Sequence, residues 1–145
     1  MKALLQRVSS ARVEVADEIV GEIDRGLLVL LGLDRGDDLE TGRRLLRKLL
    51  AYRVFPDEQG RMNHSVVDIE GGVLLVSQFT LSADTCKGLR PSFSRAMPPA
   101  EAEALYGSML GELRGLHPKV AAGRFGADMQ VTLTNDGPVT FMLEP

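Results

Sequence analysis

A proline stands inside the last alternating segment of this chain, in the run Asn135-Asp136-Gly137-Pro138-Val139-Thr140, and it restricts what the C-terminal part can become. Proline has no amide hydrogen to give a sheet ladder, so at this place it marks an edge, a bulge or a special peptide bond. The plain form is a turn closing a hairpin between strands at 129–135 and 139–143. The special form is a cis Gly-Pro bond, which for X-Pro costs roughly 0.5–1 kcal/mol and points the neighbouring carbonyls in a fixed direction.

The rest of the chain supplies the sheet to which that segment belongs. Ala3 to Val15 alternates as a long strand with Val8, Val13 and Val15 as β-branched markers. After the Ala16-Asp17-Glu18 turn, Ile19 to Ile23 continues it as a hairpin. Two runs, Gly26-Leu27-Leu28-Val29-Leu30-Leu31-Gly32-Leu33 and Gly72-Val73-Leu74-Leu75-Val76, are apolar without a break, as expected of strands covered on both faces.

Two helices are expected. Asp37-Asp38-Leu39-Glu40 has the form of a capping box, with Asp37 three residues ahead of Glu40, opening a helix through Leu45, Leu46, Leu49 and Leu50 to about Tyr52-Arg53. Pro98-Pro99, then Glu101 and Glu103, open a second helix with Ala102, Leu105, Met109, Leu113 and Leu116 on one face. Both are one-sided and should cover one face of a largely antiparallel, barrel-like sheet. The fold class is α+β, as a single domain over 1–145.

Size agrees with that reading: 145 residues, 44% of them hydrophobic, build one real core and not two. A net charge of −3 and a pI near 5.4 argue against a protein that coats nucleic acid at large, DNA included, so any RNA contact must be local. Cys86 is the only cysteine and suits a reducing compartment. The apolar start is broken by Gln6, Arg7 and Ser9 before a signal core or a membrane span could form, which points to the cytoplasm.

Conventional catalytic groups are scarce. The two histidines, His64 in the Met62-Asn63-His64-Ser65 turn and His117 before Pro118, have no partner at a recognisable spacing and read as surface or loop residues. Asp34, Asp37, Asp38 and Glu40 read as a helix start and not as metal ligands, so neither a metal nor another cofactor is assigned. Asp84 sits among turn formers and reads as one of them. Ser77 and Thr80 could be nucleophiles, yet a hydroxyl needs a nearby base at neutral pH and none is evident.

What does stand out is Ser77-Gln78-Phe79-Thr80-Leu81, a polar break at the end of a buried strand, followed by the turn-rich loop from Ser82 to Phe93 with Lys87 and Arg90. Polar groups in such a place are costly unless hydrogen-bonded, and they often form a site. Taken with Phe125-Gly126-Ala127-Asp128-Met129 and Gly137-Pro138, in this order, the chain resembles the D-aminoacyl-tRNA deacylases from Leu4-Leu5-Gln6-Arg7-Val8 to Val139-Thr140.

The resemblance implies hydrolysis of the ester between a D-amino acid, or glycine, and the terminal ribose of tRNA, with the ribose 2′-hydroxyl carrying much of the chemistry. On that footing the amides around Phe79 and Thr80 would hold the ester carbonyl, Ser77 and Gln78 would orient the substrate, and Phe79 would face the adenine. Gly137 and Pro138 would reach, in cis, into the site of a second subunit of a homodimer and exclude L side chains. Arg7 would hold that dipeptide, Met129 would complete the substrate-binding set, and Lys87 and Arg90 would meet tRNA phosphates. Two rivals keep the fold: a module that binds aminoacyl-tRNA without cleaving it, and a hydrolase of small D-amino acid esters that needs no RNA.

Overall fold

The computed structural model describes residues 1–145. In chain order its elements are β1 (Lys2–Val15), β2 (Glu18–Ile23), β3 (Gly26–Gly32), α1 (Leu39–Ala51), β4 (Phe55–Pro56), β5 (Met62–His64), β6 (Gly72–Ser77), a 3₁₀ turn (Phe79–Ser82), α2 (Pro99–Leu116), β7 (Val120–Ala122) and β8 (Gln130–Leu143). The β1–β2 hairpin turns at Ala16 and Asp17, both with positive φ (49° and 64°), the pairing that matches the twist of the flanking strands.

The sheet is mixed. Around β1 it is antiparallel: β2 pairs Ala11 to Val15, β3 pairs Lys2 to Val8, and β8 runs along nearly the whole strand. From β3 through β6 to β7 it is parallel, because α1 lies in the crossover from β3 to β6 and α2 in the crossover from β6 to β7. The sheet then curls so far that β2 meets β7, where a Cβ on Gly21 would stand 2.3 Å from the Ala122 carbonyl oxygen. The result is nearly a barrel with two helices against it.

That curvature explains the unbroken apolar strands. Alternate residues of β3 and β6 go to two different cores. Leu27, Val29, Leu31, Val73 and Leu75 join the larger core beneath the helices, with Leu45, Leu46, Leu49, Met109 and Leu113. Leu28, Leu74 and Val76 join Val8, Ala11 and Val13 in a cluster built from strands. Each such leucine contributes roughly 1.5–3 kcal/mol by leaving water.

Five local expectations change. The N-cap of α1 is Asp38, whose carboxylate accepts from the Thr41 amide at 2.8 Å, while Asp37 turns back to the Asp34 amide (2.7 Å) and the Met1 ammonium (2.7 Å). There is therefore no capping box with Glu40. On α2 the buried face leaves Leu116 48% exposed and includes Tyr106, whose hydroxyl donates a hydrogen bond to the Leu75 carbonyl at 2.8 Å. His117 is buried, not a surface residue, with Nε2 2.7 Å from the Gly71 carbonyl oxygen, and Met62–His64 is a short strand instead of a turn. The two expected C-terminal strands are one strand, β8, carrying a protrusion at Gly137-Pro138.

Candidate active site

Where β6 ends, the chain makes one more ladder bond, Gln78 N–H to the Leu31 carbonyl at 2.7 Å, and then tightens into the 3₁₀ turn. Leu81 N–H to Gln78 (3.2 Å) and Ala83 N–H to Thr80 (3.1 Å) close it. Phe79 and Thr80 open the turn, so their amides cannot donate within it and are free for another acceptor. Three contacts fix the turn to the sheet. Ser82 Oγ donates to the Leu33 carbonyl (3.3 Å), Lys2 Nζ reaches the Leu81 carbonyl (3.4 Å), and a Cβ on Gly32 would come within 2.8 Å of Leu81 Cβ.

The turn forms one wall of a cavity of about 390 Å³, the size of a small-molecule site. Ser77, Phe79, Phe93, Phe125 and Gly126 line it together with Met97 and Pro98 ahead of α2, Pro99 and Ala102 in its first turn, and Arg35. Phe79 is 59% exposed and rests on Phe93 with centroids 5.0 Å apart at 56°, so it presents an aromatic surface to whatever enters. Phe125 leans on Tyr106 at 5.9 Å, and Tyr106 carries a phenol that burial pushes up to about 12. The Gln78 side-chain amide donates to Thr80 Oγ1, a short contact that occupies the hydroxyl with a group of no basicity. Among the residues lining the cavity none is a histidine or a carboxylate, and no group of three or more His, Cys, Asp or Glu side chains is placed to hold a metal ion.

Arg7, Gly137 and Pro138 form a second assembly. The β1–β8 ladder runs Gln6 opposite Thr140 and then Val8 opposite Asn135, so Asp136, Gly137, Pro138 and Val139 all face the single residue Arg7. They bulge out of the strand. The Gly137-Pro138 bond is cis, and Gly137 has φ 133°, a value side chains rarely adopt. Arg7 Nε donates to the Asp136 carbonyl (3.1 Å) and lies 3.2 Å from its carboxylate, while Nη1 donates to the Val54 carbonyl (2.7 Å). Asn135 staples the base of the bulge by donating to the carbonyls of Arg7 (2.9 Å) and Val139 (3.0 Å).

Within one chain the two assemblies stay apart. Arg7 pairs with Leu27 at the start of β3, whereas Ser77 pairs with Leu31 at its other end, and neither Arg7, Gly137 nor Pro138 lines the cavity. Met129 lies beside the strand-built cluster, its sulfur 3.4 Å from the Arg124 amide, and also misses the cavity wall. Lys87 and Arg90 are exposed in a loop pinched by reciprocal bonds between Asp84 and Ser92 (2.8 and 3.0 Å). Asp84 is a turn residue as expected: its carboxylate accepts from the Cys86 amide at 2.9 Å, and that bond holds its pKa below the usual value. Sequence reasoning did not single out Arg35 or Phe93. Arg35 sits in Asp34-Arg35-Gly36, ahead of α1, and its place beside the cavity depends on the approach of the Ser94 and Arg95 carbonyls.

Residues 4–144 match the family model described as D-Tyr-tRNA(Tyr) deacylase. The chain belongs to that family. It is 67% identical over 144 residues to the D-aminoacyl-tRNA deacylase of Stutzerimonas stutzeri (strain A1501), an alignment covering 99% of each chain. Among solved structures it is similar to one described as c-Myc DNA Unwinding Element Binding Protein, with 44% identity and a TM-score of 0.95 over 100% of this chain and 99% of the other. A probable eukaryotic D-amino acid tRNA deacylase shares the fold at 20% identity, with a TM-score of 0.84 over 99% and 98% of the two chains.

Proposed function

We propose that this protein hydrolyses the ester linking a D-amino acid, or glycine, to the terminal ribose of tRNA, and acts in the cytoplasm where charged tRNA is used. The observation that carries the reading is the cavity itself: three aromatic side chains and a rigid turn with free amides, and no side-chain base. A site of this composition binds a nucleoside and stabilises an oxyanion, but leaves the proton transfers to the substrate.

In the mechanism we infer, the adenine lies against Phe79 and the ester carbonyl points at the amides of Phe79 and Thr80. Water adds to the carbonyl carbon, the negative charge that develops on oxygen falls on those amides, and the bond to the ribose oxygen breaks with return of a proton to it. One preorganised donor of this kind is worth about 10²–10³ in rate. The vicinal 2′-hydroxyl takes the part that a histidine plays elsewhere. Ser77 and Gln78 position the acyl group, and Lys87 and Arg90 attract the acceptor strand through its phosphates.

Chirality is read by exclusion. The bulge at Gly137-Pro138 projects from β8 and has no cavity of its own chain to close, which supports a homodimer in which each subunit walls the site of the other. Hydrogen or a D side chain fits beside such a wall and an L side chain collides, with Met129 as a neighbouring surface.

Deacylation time courses on D- and L-tyrosyl-tRNA test the activity, and glycyl-tRNA belongs in the same set. The D-ester should be cleaved and the L-ester spared. Thr80→Ala should retain much of the rate, while replacing the terminal 2′-hydroxyl by hydrogen should remove nearly all of it. A dead Thr80→Ala enzyme that works fully on the 2′-deoxy substrate would make Thr80 the nucleophile instead.

A further inference from the structure

Arg35 is the one charged residue in the wall of the cavity. Its position is fixed from two sides: its backbone amide donates to the Arg95 carbonyl at 2.9 Å, and its Nε donates to the Ser94 carbonyl, also at 2.9 Å. Both bonds leave the two terminal amino groups of the guanidinium unoccupied, and no carboxylate pairs with them. A guanidinium strapped at Nε has little rotational freedom left to lose, and its remaining fork matches a tetrahedral oxyanion.

The chemistry of the substrate class decides which anion that is. In an aminoacyl ester the carboxylate of the amino acid is consumed in the bond, and the α-amine is a cation that Arg35 repels. The sugar and the base are neutral. In the ground state of an ester with an uncharged side chain, such as that of D-tyrosine, only a phosphate brings negative charge into this cavity, and the oxyanion that develops later falls to the amides of Phe79 and Thr80. We propose that Arg35 binds the phosphate on the 5′ side of the terminal nucleotide, and so makes the site favour esters carried on a polynucleotide over esters of a free nucleoside. This rests on the deacylase reading above and adds to it a specificity-determining contact.

Three esters of D-tyrosine separate the two claims: on tRNA, on adenosine 5′-phosphate and on adenosine, the last without any phosphate. With the Arg35→Ala protein, KM should rise about tenfold on the first two while kcat holds within twofold, the size expected for loss of a charge-assisted hydrogen bond. On the adenosine ester the ratio of wild type to variant should fall toward one. Arg35→Lys keeps the charge without the fork or the Nε strap and should recover only part of the loss on the phosphorylated esters. An equal loss on all three esters would mean that Arg35 only shapes the cavity, and no loss on any of them would remove its role; either result overturns the assignment. A lysine variant equal to wild type on the phosphorylated esters would show that the fork is not used and would also overturn it. Wild-type protein that cleaves none of the three would instead defeat the deacylase reading, independently of Arg35.

Discussion

Arg7 shows how one side chain can govern a backbone feature that does not contain it. It closes on the Asp136 carbonyl and carboxylate and on the Val54 carbonyl, so the bulge opposite it is held from β1 and from the chain after α1 at once. Removing those donors should let the bulge relax while Asn135 still pins its base. The expected outcome for Arg7→Ala is a rise in L-alanyl-tRNA cleavage relative to D-tyrosyl-tRNA, read from paired time courses; unchanged discrimination would place chiral selection elsewhere. Tyr106 gives the pH dependence at this scale. Burial raises its phenol from 10.0 to about 12, so the unfolded chain releases this proton first as pH rises. The contribution is complete below pH 10 and is lost as pH climbs toward 12, with a slope approaching about 1.4 kcal/mol per pH unit. Urea unfolding of wild type and Tyr106→Phe between pH 8 and pH 11 should show a shallower alkaline decline in the variant. An identical decline in both proteins would assign it to other groups.

At the scale of elements, the glycines of β2, β3 and β6 matter through close approach and not through unusual torsions. A Cβ on Gly26 would stand 1.9 Å from the Gly72 carbonyl oxygen, so the parallel pairing of β3 with β6 begins only because that atom is missing. Gly42 plays the same part between helices, where a Cβ would meet Met109 Sδ at 2.9 Å, but there the neighbour is a flexible thioether. Gly26→Ala should therefore cost about 3 kcal/mol, at the upper end of overpacking effects, and Asp38→Ala clearly less, as a lost cap at an exposed helix end. Chemical denaturation of the two variants measures both. If Gly26→Ala proved no worse than Asp38→Ala, the strand start would have to be far more yielding than this geometry allows. The misplaced cap at Asp37 has a similar lesson: two adjacent aspartates are equivalent to a pattern of residue types, and what separated them was the Met1 ammonium, which draws Asp37 away from the helix.

At the scale of the whole molecule the proposed function turns on assembly. A wall at Gly137-Pro138 and a cavity behind Phe79 do not meet in one chain but would in the proposed two-fold dimer, for which sedimentation equilibrium across a dilution series should give twice the mass of 15.8 kDa. A monomer that discriminates D from L at full rate would end the cross-subunit model. The sequence by itself determined what is local or periodic: the hairpin, both helices, the doubly covered strands, the polar break at Ser77-Gln78-Phe79-Thr80 and the proline that cannot join a ladder. These follow from side-chain periodicity and backbone chemistry, which act between near neighbours. Only the tertiary structure decided the rest, because it depends on what distant segments bring together. Parallel pairing of β3, β6 and β7 follows from where the crossover helices lie, the burial of His117 and Tyr106 from carbonyls that reach them across the fold, and the place of Arg35 in the cavity from the carbonyls of Ser94 and Arg95, far away along the chain.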